Sequence, residues 1–108
     1  MDIVFSSTTK LAAAIRDGKI SALEALDAHL AQIDKHNEAV NAVISLDREG
    51  ARERAKKADA AQARGAALGP LHGVPFVLKD MHETAGMKTT VGFPPFAEPN
   101  RTARSSLG

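Results

Sequence analysis

Cysteine, tryptophan and tyrosine are absent from this 108-residue chain, and phenylalanine occurs only four times. Without cysteine, neither a disulfide nor a thiolate metal site can reinforce the fold. With so few aromatic rings there is no stacking platform for single-stranded nucleic acid. Net charge is also scarce: 14 Lys and Arg stand against 13 Asp and Glu, for a formal +1. A balance that close gives no strong attraction to nucleic acid or to an anionic membrane. No apolar run approaches bilayer-spanning length, and Met1-Asp2 opens the chain without a basic signal-type region. These absences lead us to expect a cytoplasmic protein with no cofactor, no metal, no nucleic acid partner and no membrane partner.

What is present is an alanine-rich hydrophobic fraction of 44%. Alanine removes little apolar area from water per residue, so an independent core built from it is thin. A chain of this length forms at most one small domain, and small domains bury a modest share of their surface. Composition therefore suits a portion of a larger fold.

The first two-thirds of the chain carries helical patterns. A first helix is predicted from about Thr9 to Asp17, burying Leu11 and Ile15 and stopping at Gly18. Ser21 and Glu24 form a capping-box pattern that opens a second helix. Leu23, Leu26, Leu30 and Ile33 recur on one face of it, and it ends near His36-Asn37. Ala42 to Leu46 is a short strand candidate or an extended connector. Asp47 caps a third helix that reaches about Arg64, with Gly65 as its stop.

The third helix carries Arg48, Arg52, Arg54, Lys56, Lys57 and Arg64, interleaved with Glu49, Glu53 and Asp59. Alternating signs on an alanine-rich helix point to a solvated face with intrahelical pairs rather than a nucleic-acid surface. His29 and His36 fall toward the polar side of the second helix. Asp80, His82 and Glu83 make a cluster without a second ligand pair at recognised spacing, which argues against a metal site.

Gly69-Pro70-Leu71-His72-Gly73-Val74-Pro75-Phe76-Val77-Leu78-Lys79-Asp80 is the most informative segment. Its glycines and prolines bound an apolar run that reads as a buried strand from Val74 to Lys79. Side chains alternate across a strand, so Phe76 and Leu78 share a face that packs beneath helices, while Val77 and Lys79 share the other. An amine at the edge of a core is disfavoured as ammonium, which suits a base; alternatively the stem of Lys79 packs while its amine reaches water. His72 is expected to order the turn before Pro75 through its ring.

With Gly86, Thr89, Thr90 and Gly92 downstream, this segment resembles the first signature block of the amidase signature family. Gly18 to Ala22 and Asn37 to Ile44 resemble that family's usual N-terminal region, and the likeness covers roughly residues 8 to 97. The resemblance implies hydrolysis of carboxamide C–N bonds by a Ser–cis-Ser–Lys triad, with Lys79 at the position of the triad lysine. It also implies active-site support from Asp80, Gly73, Pro75, Thr89, Thr90 and Gly92. Asp80 reads equally well as a solvated strand-end residue, and Thr89 and Thr90 equally well as strand formers.

The same resemblance sets a limit. The family's two serines lie in a later Gly/Ser-rich block, and Ser105-Ser106 lacks the glycines that supply tight turns and oxyanion donors. The expectation is an inactive portion of an amidase-type hydrolase, whose small amide substrate belongs to a complete family member. The alternative is a non-catalytic helical interaction module that self-associates or docks on a partner through exposed apolar helix faces. Residues 1–97 are then the N-terminal segment of an amidase signature domain, and residues 98–108 a divergent, disordered tail. Permissible codons for Ala97 to Gly108, chosen for the purpose and read in another frame, give a segment like the family's usual continuation, which leads to the expectation that a frameshift gave an amidase chain that tail. The implied family fold is α/β, a large mixed sheet flanked by helices. This chain is expected to be a mainly helical N-terminal fragment of it with one or two short strands.

Overall fold

A computed structural model describes residues 1–78, which contain three helices: α1 (Thr8–Arg16), α2 (Ala22–Val40) and α3 (Arg48–Ala63). Each begins where a short polar side chain caps it. Ser7 Oγ accepts from the Lys10 amide at 3.2 Å, Ser21 Oγ from the Glu24 amide at 2.9 Å, and an Asp47 carboxylate oxygen from the Gly50 amide at 3.0 Å. After α1, Gly18 takes a φ of 75° and Lys19 donates to the Ala14 carbonyl at 2.9 Å. That six-to-one bond reverses the chain directly into α2.

Helix α2 runs past the predicted stop near Asn37 and ends at Val40, with Asn41 in the left-handed region at φ 48°. Asn37 stays helical because its side chain serves the next segment instead. Its Nδ2 donates to the Val43 carbonyl at 2.8 Å and its Oδ1 accepts from the Val43 amide at 2.9 Å. Ala42 to Leu46 is thus the extended connector of the two alternatives.

The core has two parts, both built on α2. Ala22, Leu26 and Leu30 pack with Ala55 of α3, supported by Leu23, Ile33, Ala51 and Ala58. Leu11 and Ile15 of α1 pack on Ala25 of α2, joined by Ile3, Ile20 and Val74. Ile15 is fully buried and Leu11 nearly so, as the sequence pattern requires. The alanines of α3 lie at helical spacing and present a low ridge to the leucines of α2.

Charged residues of α3 work between helices rather than only along α3. Arg48 reaches Asp34 of α2 at 2.7 Å and Arg52 reaches Asp27, while Lys56–Glu53 is an intrahelical pair at 3.7 Å. These side chains are well exposed, so each pair contributes about 0–1 kcal/mol. Asp59 does more. Its two carboxylate oxygens accept from the Ala22 amide at 2.7 Å and the Leu23 amide at 3.2 Å, at the positive end of α2. Gln62 Nε2 donates to the carbonyls of Ile15 at 2.7 Å and Arg16 at 3.2 Å, which closes the end of α1. Asp59→Ala leaves two helix-end amides without their charged acceptor and is expected to cost about 2 kcal/mol in urea or thermal unfolding.

The expectation of one or two strands is corrected. Among the described residues there is no strand, and both Ala42 to Leu46 and Val74 to Leu78 lack that structure. Alternating or continuous apolar residues make a strand only where a neighbouring backbone completes the ladder. No described segment supplies that neighbour. Among the described residues, no helix is long and apolar enough to cross a membrane.

Candidate functional site

The signature segment enters the structure as a loop bound to the helices. Pro70 sits second in a turn closed by the His72 amide donating to the Gly69 carbonyl at 3.2 Å. A second turn overlaps it, with the Val74 amide donating to the Leu71 carbonyl at 3.1 Å. Gly73 is third in that turn, and its φ of 79° is the left-handed value that glycine adopts at little cost.

Gly73 also lies against the junction of α1 and α2. A Cβ placed on it would be 3.0 Å from the Ala22 Cβ and 3.1 Å from the Ile15 Cγ2. His72 turns its ring toward α3, where Nε2 donates to the Ala58 carbonyl at 2.8 Å. The ring orders this loop, as expected, and its partner is a helix backbone that the sequence did not identify. His29 likewise bonds locally, Nδ1 donating to the Ala25 carbonyl at 2.7 Å. His36 is exposed.

Pro75 is half-buried and closes the compact unit Met1–Pro75. Phe76, Val77 and Leu78 follow it, all exposed, with Phe76 at 74%. Lys79, Asp80, Thr89, Thr90 and Gly92 lie outside the described residues, as do the Asp80/His82/Glu83 cluster and the 98–108 tail. Of the predicted site residues the structure places Gly73 and Pro75, in one loop at the foot of the helices. Beside that loop, Ala12, Arg16, Leu68, Gly69, Pro70 and His72 line a depression of about 320 Å³, which neither of those two residues lines.

Residues 24–107 match the family model described as Amidase. The chain belongs to the amidase family. Among its relatives, a glutamyl-tRNA(Gln) amidotransferase polypeptide of Streptomyces coelicolor is 44% identical over 91 residues, covering 84% of this chain and 18% of the relative. Its counterpart in Neorickettsia sennetsu is 43% identical over 89 residues, covering 82% of this chain and 18% of the relative. An acylamidase of Rhodococcus erythropolis is 37% identical over 92 residues, covering 85% of this chain and 19% of the relative. The chain thus spans about a fifth of the length of these curated amidase relatives. The family match takes in α3, nearly all of α2, the Gly69–Val74 loop and Lys79.

The residues that sequence reasoning missed are Asp59 and Gln62, the two side chains that tie α3 to the ends of its neighbours. Their signal was positional. Arg48, Arg52, Ala55, Asp59 and Gln62 recur at helical spacing on one face of α3, the face that meets α2.

Proposed function

We propose that this chain contributes the N-terminal segment of a carboxamide C–N hydrolase in which Lys79 is the proton-transfer residue of a Ser–cis-Ser–Lys triad. The observation that carries the reading is the Amidase match over residues 24–107, within which Lys79 follows Gly73 and Pro75 at the signature spacing. The proposed substrate class is a small amide; the names of the acylamidase and amidotransferase relatives support the amide chemistry.

The chemistry requires the lysine as a neutral amine. Its Nζ accepts, by way of the bridging serine, the proton of the nucleophilic hydroxyl as that oxygen bonds to the carboxamide carbon. The proton returns to the nitrogen as the C–N bond breaks, and water then releases the acyl group from the serine. Residues 1–108 hold the lysine and no glycine-flanked serine block, so the 108-residue chain by itself is inactive. The purified chain is expected to give no amide or ester turnover above buffer, with Lys79→Ala indistinguishable from it. Turnover that disappears in Lys79→Ala overturns this inactivity.

A further inference from the structure

Two residues at the α1–α2 junction are each held from two directions. The Ala22 amide donates to Asp59, and its Cβ faces Gly73. The Ile15 carbonyl accepts from Gln62, and its side chain faces the same glycine. His72 completes the arrangement by donating to the carbonyl of Ala58, the residue just before Asp59. The Gly69–Val74 loop therefore touches the neighbours of both caps that α3 supplies.

We infer that the capping of α1 and α2 by α3 and the ordering of the Gly69–Val74 loop are one coupled conformational step. The opening half of the signature block is ordered only while the Asp59 and Gln62 caps are engaged. On its own the loop has little to hold it. Among the described residues its internal backbone bonds are those of its two turns, set against the entropy of fixing each residue. Its remaining restraints are the Ala58 carbonyl, the surfaces of Ile15 and Ala22 against Gly73, and the packing of Val74 on Leu11, Ile15 and Ala25; the contacts to Ala58, Ala22 and Ile15 adjoin the caps that α3 supplies. Coupling of this kind is reciprocal: whatever loosens the caps loosens the loop, and the reverse holds by the same factor. The opposite end of α2 is secured separately by Asn37 and Val43, so it stands outside the coupled step.

Hydrogen exchange of the full 108-residue chain, followed amide by amide by NMR, tests the coupling. Asp59→Asn keeps one side-chain acceptor at the start of α2 but removes its charge. Exchange at Ala22 and Leu23 is expected to rise about tenfold, as a charge-assisted bond becomes a neutral one. The amides of His72 and Val74 should accelerate by that same factor. In the reverse direction, His72→Ala should accelerate Val74, Ala22 and Leu23 together. The Val43 amide should keep its rate in both variants. Loop amides that hold their rates in Asp59→Asn overturn the coupling. An equal acceleration at Val43 also overturns it, because it marks unfolding of the whole unit rather than a local step. The chemistry assigned to Lys79 does not enter any of these rates, so a failure of that assignment leaves this test unaffected.

Discussion

Grafted in place of the matching segment of the Rhodococcus erythropolis acylamidase, residues 1–97 of this chain should support turnover of that enzyme's own substrate, and Lys79→Ala should then lower kcat/KM by about 10³-fold. The size follows from the role. A residue that moves the proton of the nucleophile contributes about 10²–10⁴-fold, and its loss falls on kcat because it does not hold the substrate. Lys79→Arg sharpens the experiment. Arginine retains the positive charge and a long stem but stays protonated, so it cannot accept the proton. Both variants should therefore be comparably inactive while KM changes little. Activity of Lys79→Ala within tenfold of the unsubstituted chimera removes the lysine from the chemistry, and recovery by Lys79→Arg turns its role into one of charge alone.

The second large effect belongs to Gly73→Ala, expected to destabilise the folded chain by about 3 kcal/mol. Two costs combine. A non-glycine residue at φ 79° is strained by about 1 kcal/mol. The new methyl also meets Ala22 and Ile15 at 3.0 and 3.1 Å, and neither neighbour is the free end of a long side chain. Overpacking of that kind costs about 1–3 kcal/mol. Gly18→Ala separates the two. Gly18 has nearly the same φ, 75°, with nothing within 4 Å of its would-be Cβ, so only the backbone cost of about 1 kcal/mol applies. Thermal melts of both variants should show Gly73→Ala with the much larger fall in Tm, more than about 10 °C for a domain of this size. Equal falls would mean that the junction yields to a methyl without resistance.

Local chemistry carried most of the helical arrangement in the sequence. Leu11 and Ile15, the Ser21 cap, the leucines of α2, Asp47 and Gly65 each act over one or two turns of chain. Their meaning does not depend on what lies opposite. The errors occur where meaning depends on a distant partner. Helix α2 ends at Val40, beyond Asn37, a good helix terminator by composition, whose side chain is occupied by Val43. Asp59 reads as one of the solvated charges because alternation along a helix looks the same whether the face meets water or a neighbour. Sorting α3 by face separates them: Arg48 and Arg52 meet acids on α2, while Asp59 meets its amide end. The strand at Val74 to Leu78 has the correct composition and no ladder among the described residues. The candidate site was legible mainly through its signature spacing, and the family match supports that resemblance over the same stretch. The anchoring of Gly73 and His72 was not legible, because it is made by side chains and a carbonyl 14 or more positions away in the sequence.

The carboxamide of Asn37 has a consequence at the other end of α2. It offers Val43 one donor and one acceptor, the same pair that a neighbouring strand would present. Ala42-Val43-Ile44-Ser45-Leu46 is uncharged, free of proline and glycine, and exposes Ile44 and Leu46. Short segments of that composition are the ones that stack into intermolecular β-structure when both backbone edges are open. By occupying one edge at Val43, a single side chain leaves only the other edge open to a pairing strand.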